Sequence, residues 1–110
     1  MQDVFAPAAL AEYRRSVSNP ETIHAMCEDY RAAATIDYAL DEADRGNRRI
    51  TCPVLALWSG RGALEQWYDV LDVWRGWADD VRGRALDCGH YIAEEAPDDT
   101  YAELHAFFTG

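Results

Sequence analysis

Apolar positions in the first 46 residues recur at helical spacing, whereas from residue 50 onward short continuous apolar runs alternate with helix-like stripes. Within residues 6–17, Leu10, Tyr13 and Val17 repeat at intervals of three and four, which predicts a short amphipathic helix ending at the polar Ser18-Asn19-Pro20. Asn19 before Pro20 is a start signal for a second helix, because Asn caps free amides and Pro suits the first helical position. Its inward face is predicted to carry Ile23, Met26, Cys27, Tyr30 and Ala34. Thr35 is placed to cap a third helix reaching about Arg45, with Ile36 and Leu40 turned inward and Gly46-Asn47 closing it.

At Ile50 the pattern changes. The run Thr51-Cys52-Pro53-Val54-Leu55-Ala56-Leu57-Trp58-Ser59-Gly60 is apolar without alternation and bounded by Pro and Gly, as expected of a strand buried on both faces. A single helix over residues 63–78 is predicted next, its inner side crowded by Leu64, Trp67, Tyr68, Leu71, Val73, Trp74 and Trp77. Residues 81–87 read as a second strand, Cys88-Gly89-His90 as the turn at its end, and residues 98–108 as a last helix opened by Pro97.

Three helices followed by strand, helix, strand and helix predict an α/β fold whose two strands are parallel and joined by a crossover. Two strands are too few to make a parallel sheet covered on both faces. The chain therefore reads as the C-terminal part of a larger fold, with a helical segment at 1–48 and a strand-bearing segment at 49–110.

Charge narrows the partners. Twenty acids oppose ten bases, a formal net charge of -10, and every base is Arg. Such a surface disfavours nucleic acid and anionic membrane. The run at residues 54–58 is far short of the roughly 20 apolar residues of a membrane span, and no signal-peptide pattern can be drawn at the N-terminus, so a cytoplasmic location is expected. Cys27, Cys52 and Cys88 are odd in number and widely spaced, which favours buried, reduced thiols over a disulfide framework or a zinc knuckle.

Chemistry is expected first at Cys88-Gly89-His90-Tyr91. Ligands of open α/β sheets bind outside the carboxyl ends of strands, and a His there suits general-base work near neutral pH. Cys88 with His90 is a poorer pairing, because residues so close in a turn seldom face each other. His24 and Cys27 share a helix face but supply only two ligands, so no metal site is expected. Gly60-Arg61-Gly62 lacks the third Gly of a dinucleotide loop. The stretch Glu94, Glu95, Asp98, Asp99 reads as a solvated helix start.

The segment Ile23-His24-Ala25-Met26-Cys27-Glu28-Asp29-Tyr30-Arg31-Ala32, the run Cys52-Pro53-Val54-Leu55-Ala56-Leu57-Trp58, and Gly89-His90-Tyr91 together resemble the C-terminal third of haloacetate (fluoroacetate) dehalogenases of the α/β-hydrolase superfamily. The resemblance implies a helical cap at 1–48, the C-terminal part of an α/β-hydrolase core at 49–110, and covalent catalysis by an Asp that displaces halide from a small haloacid. His90 then looks like the base that activates water, and Tyr30 like the cap tyrosine that helps hold the departing halide. No cofactor is implied.

The family's nucleophilic Asp sits on a strand-to-helix elbow that these 110 residues do not contain, so the chain is expected to be inactive alone. Two alternatives stand beside this reading: a piece of another α/β hydrolase, such as an epoxide hydrolase or esterase, or a non-catalytic chain that self-associates as a homodimer through its Trp-bearing helix.

Overall fold

The structure, a computed structural model, describes residues 4–110; the first three residues of the predicted helical segment lie outside that range. The chain divides into two compact units, Met1–Asn47 and Arg48–Gly110.

The first unit holds α1 (Pro7–Val17), α2 (Pro20–Ala33) and α3 (Ile36–Asp44). Asn19 caps α2 as its sequence predicts, its side-chain oxygen accepting from the Glu21 amide at 2.9 Å, with Pro20 at the first helical position. Thr35 does not cap α3. Its hydroxyl instead donates back to the Arg31 carbonyl at 2.6 Å, the competing bond that a Thr makes at the end of the preceding helix. Asn47 closes α3 by donating from Nδ2 to the Ala43 carbonyl at 3.0 Å.

The inward faces predicted for these helices are not inside. No residue of α1, α2 or α3 is buried, and Ile23, Met26, Tyr30, Ile36 and Leu40 are all exposed. Three helices of 11, 14 and 9 residues present too little facing surface to enclose their own apolar stripes.

The second unit contains β1 (Val54–Ser59), α4 (Ala63–Trp67), α5 (Val70–Arg75), β2 (Val81–Leu86), α6 (Ile92–Glu95) and α7 (Pro97–Thr109). β1 and β2 form a two-stranded parallel sheet with Val54 opposite Val81 and Ser59 opposite Leu86. The core lies along this pair: Ala56, Ala78, Leu86 and Cys88 are its buried apolar residues, and Ser59 and Thr100 its buried polar ones. β1 is only half-buried over most of its length rather than covered on both faces, because among the described residues it has a neighbour on one side alone.

The helix predicted over residues 63–78 is two. Tyr68 takes an extended conformation (φ -137°, ψ 145°), and Asp69 starts α5 by accepting from the Asp72 amide at 2.9 Å. This cap supersedes the apolar stripe that runs across it. Trp67, Trp74 and Trp77 consequently do not share one continuous helix face; Trp67 is 72% exposed and Trp77 half-buried. Arg49 fixes the return from α5 to β2, donating to the carbonyls of Arg75, Gly76 and Ala78 while pairing with Asp79.

Among the described residues no helix is long and apolar enough to cross a membrane.

Candidate active site

The carboxyl ends of the two parallel strands lie side by side, and the loops that leave them are tied together. Ser59, the last residue of β1, is buried and donates from Oγ to the Cys88 carbonyl at 2.8 Å, while the Gly60 amide donates to the Leu86 carbonyl at 2.8 Å. Arg61, next along the first loop, pairs with Asp87 of the second at 2.8 Å. That pairing raises the Arg61 pKa and lowers that of the Asp87 carboxyl, in both cases first through the shared hydrogen bond. The Gly60-Arg61-Gly62 loop thus has its one cation engaged by a carboxylate.

Cys88-Gly89-His90-Tyr91 follows β2, and His90 is exposed at its outer end with its ring edge-to-face against Tyr91, centroids 5.0 Å apart. One helical turn, α6, then brings Glu95 back beneath the loop. The Tyr91 carbonyl accepts from the Glu95 amide at 2.8 Å, and the Glu95 carboxylate accepts from the Tyr91 amide at 2.9 Å and the Gly89 amide at 3.2 Å. This is a relative of the capping box in which the acid sits one position later than usual. Both carboxylate oxygens are used, and the two amides they hold flank His90. Gly89 is required for the approach: a Cβ there would lie 2.6 Å from Glu95 Oε1. Thr100 of α7 donates to the Ile92 carbonyl at 3.0 Å, anchoring α6 to the last helix.

Of the thiols, only Cys88 is buried; Cys27 and Cys52 are exposed, contrary to the expectation from their spacing, because the helices and loop that carry them leave them uncovered. Burial raises the Cys88 pKa, the Glu95 charge adds to the effect, and Arg61 partly opposes it. The thiol is therefore protonated at neutral pH, which disqualifies it as a nucleophile paired with His90. The folded chain keeps this proton where the unfolded chain loses it. Stability accordingly falls as pH climbs past the ordinary thiol range near about 8.5 and continues to fall until the folded thiol ionises. Iodoacetamide at neutral pH is expected to modify Cys27 and Cys52 at least about tenfold faster than Cys88, read by peptide mass spectrometry. Equal rates would show that Cys88 is open to solvent.

Tyr30 lies on α2 of the first unit and is 77% exposed; His90 belongs to the second unit. Sequence reasoning named both residues but missed Glu95, Ser59 and Asp87. For Glu95 the available signal was its position four residues after Tyr91, one helical turn from the loop it holds. Among the described residues no group of three or more His, Cys, Asp or Glu is arranged to hold a metal ion.

An α/β hydrolase from Nostoc sp. PCC 7120 superposes on 99% of the chain with a TM-score of 0.93 and 52% sequence identity, the chain covering 37% of that protein. The fold is that of the C-terminal part of an α/β hydrolase: helices, then a parallel strand pair whose second member ends in the His-bearing loop. In sequence, the chain is 36% identical over 107 residues to a fluoroacetate dehalogenase of Burkholderia sp. and 32% identical over 96 residues to a soluble epoxide hydrolase of Corynebacterium sp.. These matches take in 97% and 86% of the chain, which spans about a third of each relative, 35% and 32%. No protein-family profile matches the chain.

Proposed function

We propose that the chain is the base-bearing part of a hydrolytic dehalogenase acting on a small 2-haloacid such as fluoroacetate. The observation that carries this reading is the 36% identity to the Burkholderia dehalogenase over nearly the whole chain, His90 included in the span. In the reaction, an Asp carboxylate outside these 110 residues attacks the carbon bearing the halogen. A C–O bond forms, the carbon–halogen bond breaks, and halide leaves with its electron pair. His90 then takes a proton from water, which adds to the carbonyl of the resulting ester. Collapse expels the hydroxyacid, which takes up the proton, and regenerates the carboxylate. Tyr30 donates a hydrogen bond toward the departing halide. The chemistry calls on no metal or organic cofactor.

An epoxide hydrolase is the second reading, favoured by the 32% identity to the Corynebacterium enzyme. It uses the same base on a different electrophile. The two are separated by a hybrid in which residues 1–110 replace the matching third of the Burkholderia dehalogenase. Fluoride release from fluoroacetate with no turnover of styrene oxide supports the dehalogenase reading; epoxide opening without fluoride release overturns it. The 110-residue chain alone is expected to release no fluoride above the uncatalysed background, measured with a fluoride electrode.

A further inference from the structure

We infer that Glu95 is a positioning residue for His90, its carboxylate acting as a clamp on the two backbone amides that flank the histidine. The inference rests on the reading of His90 as the base, and it adds a residue that the resemblance does not name. Three features of the structure carry it. Glu95 accepts from Gly89 N at 3.2 Å and from Tyr91 N at 2.9 Å, so its two oxygens bracket residue 90 and no other. Gly89 leaves room for the carboxylate and for nothing larger, a Cβ there meeting both oxygens and the carboxyl carbon at 2.6, 2.8 and 3.0 Å. Before the clamp, the chain is already pinned on its inner side by Ser59 Oγ on the Cys88 carbonyl.

The loop is thus held at residues 88, 89 and 91, and the imidazole projects from the one position between them that no backbone bond fixes. A base must lie within hydrogen-bond reach of the water it deprotonates, and small misplacements are costly. A charged acceptor also binds amides about twice as strongly as a neutral one. Glu95 touches neither water nor substrate in this role; it sets where the imidazole stands.

The test is nuclear magnetic resonance on the full 110-residue chain, comparing wild type with Glu95→Gln and Gly89→Ala. Gln keeps the size and one acceptor but loses the charge and the second acceptor, whereas the Gly89 methyl displaces the carboxylate without changing charge. Both variants are expected to speed exchange of the amides at residues 89 and 91 by roughly tenfold or more. Both are also expected to move the His90 ring carbon and nitrogen shifts and lower ring order, while the amides of β1 and β2 keep theirs. Unchanged His90 ring signals and amide protection in Glu95→Gln would overturn the inference. So would loss of the strand amides in that variant, which would assign the carboxylate to the fold. No substrate enters the measurement, so a failed clamp leaves the halide-release test standing, and a hybrid that releases no fluoride leaves the clamp to be judged on its own signals.

Discussion

His90→Gln in the hybrid enzyme is expected to stop steady-state fluoride release while leaving a first burst of about one fluoride per active site. The two steps explain the split. Cleavage of the carbon–halogen bond needs only the carboxylate and a hydrogen-bond donor for the halide, so the first turnover proceeds to the ester. Release of the ester needs water activated by a base, and glutamine has no basic nitrogen to take the proton. Removal of a general base costs roughly 100- to 10,000-fold, and the loss should fall on kcat. Rapid-quench fluoride measurement checks both phases. A variant that keeps full steady-state turnover would show that water is activated elsewhere, and one that loses the burst as well would give His90 a part in the first step.

Gly83→Ala is expected to unfold the second unit. Gly83 sits in β2 opposite Ala56 of β1, with φ 148°, a conformation L side chains rarely adopt. A Cβ there would lie 1.8 Å from the Ala56 carbonyl oxygen and under 3.0 Å from its carbon and nitrogen. All three are backbone atoms of the paired strand, so relief requires parting the strands that carry the buried Ala56 and Leu86. Clashes of this kind belong to the rare class costing more than about 4 kcal/mol, a large share of the roughly 5–15 kcal/mol that small domains possess. Urea titration followed by tryptophan fluorescence should show Gly83→Ala without a native baseline. Arg84→Ala, which removes only an exposed pairing with Glu103, should keep the wild-type midpoint. A Gly83→Ala midpoint equal to wild type would mean that the strands do not approach as closely as the structure shows.

Local rules made much of this fold readable. Asn19-Pro20 announces α2, the apolar run before Ser59 announces β1, and Pro97 followed by two acids announces α7, each through chemistry contained within a few residues. The break at Tyr68 was hidden because the apolar stripe continues across it, and only the bond from the Asp72 amide to Asp69 decides the matter. Burial was the least legible property. A stripe at helical spacing says that a face is apolar, not that anything covers it, and Ile36 and Leu40 are exposed despite perfect spacing.

The site divided along a similar line. The position of His90 was legible because a Gly-His pair after a strand puts an imidazole at the strand's carboxyl end, where ligands of parallel sheets bind. Glu95 left only a positional signal, four residues after Tyr91, since its partners are backbone amides, which carry no signature in side-chain identity. Ser59 was invisible for the same reason, its partner being the Cys88 carbonyl. Asp87 is drawn in by Arg61, 26 residues away in the chain and adjacent only once the strands pair.

Whether His90 completes a reaction begun by a carboxylate on a haloacid can be read from intact-mass spectrometry of the His90→Gln hybrid after incubation with fluoroacetate. A stoichiometric adduct of one carboxymethyl group is expected, esterified to the nucleophilic Asp and absent from the wild-type hybrid. A His90→Gln hybrid that turns over fluoroacetate normally and carries no adduct would contradict it.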